Sequence, residues 1–293
     1  FESSLGDLMT GEQSPVDMRN VSFLEPFGEA AALPPESVSW RVFKNPVAMF
    51  IGGITATVLE LAEPRIRAGV WDHTSFRDQP LPRLKRTGLA AMVTVYGAES
   101  VARRLIRGVN RQHAQVKGVD EHGREYKALQ APLMNWVHTT ASFGFLQAYC
   151  QFVYSLPQAD RDAFYSEALA SAAMYGAPGC PHSEQECDEH FKAMQPQLGP
   201  TPVIAEFLAI MKETPALPGL LRPFQGMMIR AAVSLIPETL QQQLQLEKAA
   251  RLRGWERLMI RYLGYLGDRI VIKQSPAVQS CQRLGLDPKY LYR

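Results

Sequence analysis

Three short stretches of the chain carry residue types that do chemistry when a fold brings them together. In RLKRTG, Arg83, Arg86 and Thr87 stand at i, i+3 and i+4, so a helix would place two guanidinium groups and a hydroxyl on one face. In RLIRGVNRQHAQVKG, His113 continues an apolar series of Ala102, Leu105, Ile106, Val109 and Val116 at spacings of three and four. That series predicts an inward-facing imidazole on a helix from Glu99 to about Lys117. In NWVHTTASFGF a second histidine, His138, rides on another helix. Guanidinium forks pair with carboxylates and orient bound oxygen species, and a neutral imidazole is the usual protein donor to haem iron. A cationic face, a hydroxyl and an inward histidine among apolar helices predict a buried site for a large, flat, partly anionic ligand, a description that haem fits. Taken singly, each has a plainer reading: core histidines bonded to carbonyls, arginines in surface ion pairs, a threonine bonded back to its own helix.

Another constellation is compact in sequence. Cys180, His182, Cys187 and His190 lie within eleven residues, and thiolate with imidazole is the vocabulary of tetrahedral zinc. The spacing, C-x-H-x4-C-x2-H, departs from the usual paired-ligand knuckles, which favours a loop with scattered polar residues. Glu186 and Glu189 beside His190 lack the second pair that a di-iron bundle requires. The chain has no G-x-S-x-G elbow, no P-loop, no G-x-G-x-x-G after a strand and no H-E-x-x-H.

The elements that must position these groups are helices. Of 293 residues, 46% are hydrophobic and 20% charged, with a net charge of +2, so a general affinity for nucleic acid is excluded. Residues 1–35, rich in Gly, Ser, Pro and acidic side chains, read as an irregular arm, and 36–293 as a helical domain. Asn45-Pro46 starts a helix that should end by Pro64. Its apolar run is too short, and too broken by Gly52 and Gly53, for the ~20 residues a bilayer span requires. Further helices are expected from Pro82 to Tyr96, from Pro132 to Val153, after Pro157, over 203–212, 220–235, 237–253 and 255–266. GVDEHGREYKA is a turn or small hairpin with Tyr126 turned toward the core. Arg251, Arg253, Arg257, Arg261 and Arg269, alternating with Trp255, Leu258, Met259, Tyr262 and Leu266, read as a solvated helix face. No fixed repeat and no long strand alternation occurs, so the fold class is all-α. Four scattered cysteines do not make a disulfide framework, and a reducing cytoplasm is the default compartment.

Taken in order, GGITATVLELAEPRIRAGVWDHTSFRDQPLPRLKRTGLAAMVTVYG, VNRQHAQVKG and EYKALQAPLMNWVHTT resemble the catalytic domain shared by MpaB-type oxygenases and the latex clearing proteins, the bacterial rubber oxygenases. The shared pieces are R-x-x-x-T, Y-G, H-x-x-V-x-G, Y-x-A and W-V-H-x-T, with weaker agreement through RPFQGMM and LIPETL. The resemblance implies a globin-like helical core holding haem b, with His113 as the iron ligand and Arg83 and Thr87 on the oxygen-binding side. It implies dioxygen and an apolar substrate, an alkene or isoprenoid-like molecule, with His138 close by. Two departures stand out. Arg86 replaces the lysine that precedes the threonine in rubber oxygenases, and Glu60 and Glu63 stand where glutamine and histidine are expected. An acidic pair there could supply a base to the pocket or simply cap a helix. Met49, Phe50, Ile54, Phe143 and Phe145 are candidate apolar walls, or plain core. Two other readings of the chain remain: a non-catalytic haem sensor or carrier, and a metal-free helical lipid-binding or scaffold protein.

Overall fold

The computed structural model describes residues 21–217 and 219–292. The first part of the expected N-terminal arm, residues 1–20, lies outside the described residues. Residues 21–35 are irregular, yet they are fastened to the helical body. Phe23 is buried, Ala31 bridges Ala98, and the fully buried Arg283 donates to the carbonyls of Phe23, Glu29 and Tyr96. Burying a guanidinium is tolerable only because these carbonyls replace its water.

Helices dominate, in the order α1 (Val38–Phe43), α2 (Pro46–Leu61), α3 (Pro64–Trp71), α4 (Pro80–Tyr96), α5 (Glu99–His113), α6 (Ala131–Phe152) and α7 (Gln158–Met174). They continue as α8 (Glu184–Met194), α9 (Pro202–Glu213), α10 (Gln225–Ser234), α11 (Glu238–Gln243), α12 (Gly254–Gly267) and α13 (Pro276–Arg283). Local chemistry explains the starts. Asn45 Oδ1 accepts from the N–H groups of Val47 and Ala48, Glu63 from Ile66, Ser183 from Glu186 and Ser275 from Val278. Pro46, Pro64 and Pro276 fill first-turn positions where a missing N–H costs nothing.

α2 is the centre. It packs along α6 so closely that a Cβ on Gly52 would lie 2.7 Å from the Gly144 carbonyl oxygen. On another side, Thr55 Oγ1 donates to the α10 carbonyl of Ala232 at 2.9 Å. Trp136 Nε1 on α6 donates to the Leu59 carbonyl at 3.3 Å, fixing the last turn of α2. Gly52, one of the two glycines that break the apolar run in sequence, thus serves helix contact. Phe145 packs on Phe43 and against Gly52, and the buried Phe143 packs on Phe191, which with the buried Ile54 makes them core. Among the described residues no single helix is long and apolar enough to cross a membrane, although the sharply bent pair of α2 and α3 reaches that length and composition.

The structure differs from the sequence expectation in three places. α5 ends at His113 because Lys117–Val119 (β1) leaves to pair antiparallel with Glu125–Lys127 (β2), the small hairpin expected, with Tyr126 buried. α10 starts at Gln225 rather than Leu220. The helix expected over 237–253 stops at Gln243, where Gln245 adopts φ 58° and turns the chain so that Leu244 and Leu246 are both buried.

Candidate functional site

Four helices supply the polar groups that converge. Arg83, Arg86 and Thr87 lie on α4, whose buried residues are confined to its last turn, Val93, Val95 and Tyr96. The earlier turns, flanked by half-exposed Leu84, Leu89 and Ala90, therefore present an incompletely covered face. Arg83 Nη1 donates to Thr87 Oγ1 at 2.5 Å, while the Thr87 hydroxyl donates back to the Arg83 carbonyl at 3.1 Å. The i, i+4 spacing read in the sequence is thus a physical pair. Arg86 engages a different partner, its Nη2 donating to Ser75 Oγ at 3.4 Å.

Glu60, in the last turn of α2, faces this group. Burial pushes its carboxyl up to about 7, against the pull of the Arg83 charge and a long hydrogen bond from Thr140 Oγ1 at 3.5 Å. Arg83 itself is lowered, first by burial and then by the Arg86 charge, with Glu60 opposing. Glu63 goes elsewhere: fully buried, it accepts from the Ile66 N–H at 2.8 Å and pairs with Arg65 at 2.7 Å. The two acids that could not be told apart in sequence are therefore separated. Glu63 caps α3, and Glu60 belongs to the cluster.

His113, at the end of α5, points inward as its spacing predicts. Burial lowers its pKa, and the Arg83 charge lowers it further. Its Nδ1 is buried without a hydrogen-bond partner. His138, on α6, is pulled down to about 4 by burial and then by His113. Its ring lies 5.2 Å from that of Tyr175, whose hydroxyl meets Thr94 Oγ1 at 3.1 Å. Both imidazoles are consequently neutral at neutral pH, the form that donates a lone pair to a metal. Arg83 is the common neighbour, since its charge acts on both Glu60 and His113. Sequence reasoning missed Thr94 and Tyr175, whereas Thr140 stands two residues after His138 in the W-V-H-x-T motif. Thr94 and Tyr175 come from other segments, and no local spacing connects them with His138.

The Cys/His quartet does not gather. Cys180 packs with Met134, Ala172 and Ala177, Cys187 joins the main core, and His190 Nδ1 lies 3.1 Å from Thr139 Oγ1. The His182 N–H donates to Glu186 Oε2 at 2.8 Å within the start of α8. Burial pushes both thiols up to about 12, which disfavours the thiolates zinc requires. Among the described residues no three His, Cys, Asp or Glu side chains come together as a metal site of their own.

The helical body and the convergence of these groups fit a helical catalytic domain. Residues 40–263, well over half of the chain, match the family described as ER-bound oxygenase mpaB/B'/Rubber oxygenase, catalytic domain. The chain belongs to this family of oxygenase catalytic domains, as its motifs suggested. No curated protein and no solved structure matched it. Every residue of the cluster falls inside the matched span.

Proposed function

We propose that the protein is a haem b-dependent oxygenase that acts with dioxygen on an apolar substrate, an alkene or isoprenoid-like molecule. The observation that carries this reading is the buried, unpartnered imidazole nitrogen of His113, set beside Arg83. A buried polar nitrogen without a partner costs about 1–3 kcal/mol, and ligation to iron through that nitrogen would remove the cost. The porphyrin supplies most of the iron's donors, so a single imidazole suffices where a protein-only metal site would need several. His113 would be the protein ligand to iron, and His138 would lie beside it. The half-covered face of α4 offers apolar surface for a flat ligand, and Arg86 offers a cation for a carboxylate.

When bound, haem supplies the one-electron and dioxygen chemistry of such an enzyme. The chain's own residues do the rest. Arg83, its head fixed by Thr87, presents preorganised donors toward developing negative charge. Glu60, with a pKa of about 7, can hold or release a proton at its carboxylate near neutral pH. The low pKa of His138 keeps it uncharged beside His113, so no positive charge competes with ligation. The compartment proposed from the scatter of the four cysteines is a reducing cytoplasm.

The test is an absorbance spectrum of protein expressed with a haem precursor, together with oxygen uptake on apolar alkenes. The wild type should show a Soret band that His113→Ala lacks. Loss of the band in His138→Ala alone would move the ligand to His138. A band without oxygen uptake would mark a sensor or carrier, and colourless wild type a metal-free helical protein.

A further inference from the structure

The basic, aromatic stretch that reads in sequence as a solvated face is apolar on its outer side. On α12, Trp255 is 55%, Leu258 69% and Tyr262 58% exposed, and Tyr265, Ile270 and Ile272 follow. Spacings of three, four and three put Trp255, Leu258, Tyr262 and Tyr265 on one side of the helix. The other side is committed. Ile260 is buried, and Gly264 lies so close to the Phe152 carbonyl of α6 that a Cβ would strike it. α12 therefore cannot roll its aromatic side inward without leaving that seat.

The charge around this face is one-sided. Arg251, Arg253, Arg257, Arg261, Arg269 and Lys273 are exposed. The two carboxylates in the same stretch are engaged inside, Glu256 with Arg230 and Asp268 with Lys44. Arg269 stacks over the Tyr265 ring at 3.5 Å, joining the cationic and aromatic parts of one surface.

We propose that this outer face of α12, with Ile270 and Ile272, docks the protein on an anionic lipid surface. Trp and Tyr settle at headgroup depth, Leu258 reaches the acyl boundary, and the arginines meet lipid phosphates. A second copy of the chain is a poor occupant, because it would set one cationic face against another. The face shares no residue with the His113 cluster, and its Gly267 end sits beside Pro46 at the start of α2, whereas Glu60 stands in the last turn of that helix. The inference is therefore independent of the haem reading.

Tryptophan emission reports on this face directly, since Trp40, Trp71 and Trp136 are buried and Trp255 is exposed. The purified full chain is mixed with phosphatidylcholine vesicles, with and without about one third phosphatidylglycerol. Cosedimentation and a blue shift with loss of acrylamide quenching are expected on the anionic vesicles only, weakening as salt rises. Trp255→Ser with Tyr262→Ser should weaken binding by roughly tenfold or more, and Arg261→Glu with Arg269→Glu by a similar factor. Both pairs should keep wild-type far-UV circular dichroism. The proposal is overturned if wild type ignores both vesicle types at low salt, or if binding persists in both variant pairs. It is also overturned if Trp255 becomes protected in the absence of lipid as protein concentration rises, which would mark a second copy as the occupant.

Discussion

The His113 cluster and the Cys180–His190 segment hold similar side chains in opposite circumstances. The segment is compact in sequence, yet its groups separate: two thiols sink into different apolar clusters, one imidazole bonds a threonine, and a serine caps α8. The cluster is scattered over more than fifty residues of sequence, and its groups converge, with a histidine nitrogen left unpaired and an acid held far above its ordinary pKa. Groups that settle among ordinary neighbours serve stability. Where half-buried groups converge and one ring nitrogen is left without a partner, a ligand or a reaction is the economical explanation.

The largest break in this comparison should come from His113→Ala, which is expected to lower haem retention on the order of 100-fold, read from the Soret band during haem transfer to a competing acceptor. Cys180→Ala with His182→Ala should leave that band unchanged. A quartet variant that lost the band would erase the distinction between the regions.

Arg83→Met should come next, reducing oxygen uptake by roughly 100-fold through loss of a preorganised donor. Because the Arg83 charge holds Glu60 down, the same substitution should move the pH inflection of uptake upward from about 7. An inflection that stayed in place would show that Glu60 is not the titrating group.

Opposed pH dependences of stability are expected within the cluster. Glu60 rises from 4.5 to about 7 on folding, so its contribution is complete below pH 4.5 and is lost as pH climbs through about 7. His138 falls from 6.5 to about 4, so its contribution is complete above pH 6.5 and is lost as pH drops through about 4. Between pH 4.5 and 6.5 the two slopes oppose, at up to about 1.4 kcal/mol per pH unit each. Urea melts of the haem-free protein should therefore show Glu60→Gln gaining stability with pH relative to wild type, and His138→Gln losing it. Parallel curves for all three proteins would refute the assignment.

The smallest effects belong to the quartet segment. Ser183→Ala should cost about 1 kcal/mol through loss of the α8 cap. His182→Ala should stay within about 0.5 kcal/mol. A zinc-dependent rise in melting temperature would contradict both the dispersal and its explanation.

Legibility in the sequence followed the range of the interaction. The pairing of Arg83 with Thr87, the Asn45 cap and the inward direction of His113 all rest on neighbours within one or two helical turns. The long helix expected over 237–253 failed because burial of Leu244 and Leu246 overrode a continuous helical pattern at Gln245. The reading of α12 as a solvated face holds. Its arginines are exposed, and so are the aromatics between them, because α6 takes the side bearing Ile260 and Gly264.

By itself the sequence determined the helical class, the family and the helices that carry Arg83, His113 and His138, since helical period, capping and motif order are local properties of the chain. Only the tertiary structure decided that Glu60 and not Glu63 joins Arg83, and that Tyr175 and Thr94 back His138. It also decided that the Cys/His quartet disperses. Those outcomes depend on which helix faces meet and how much water they exclude, and burial is set by contacts between segments far apart in the chain.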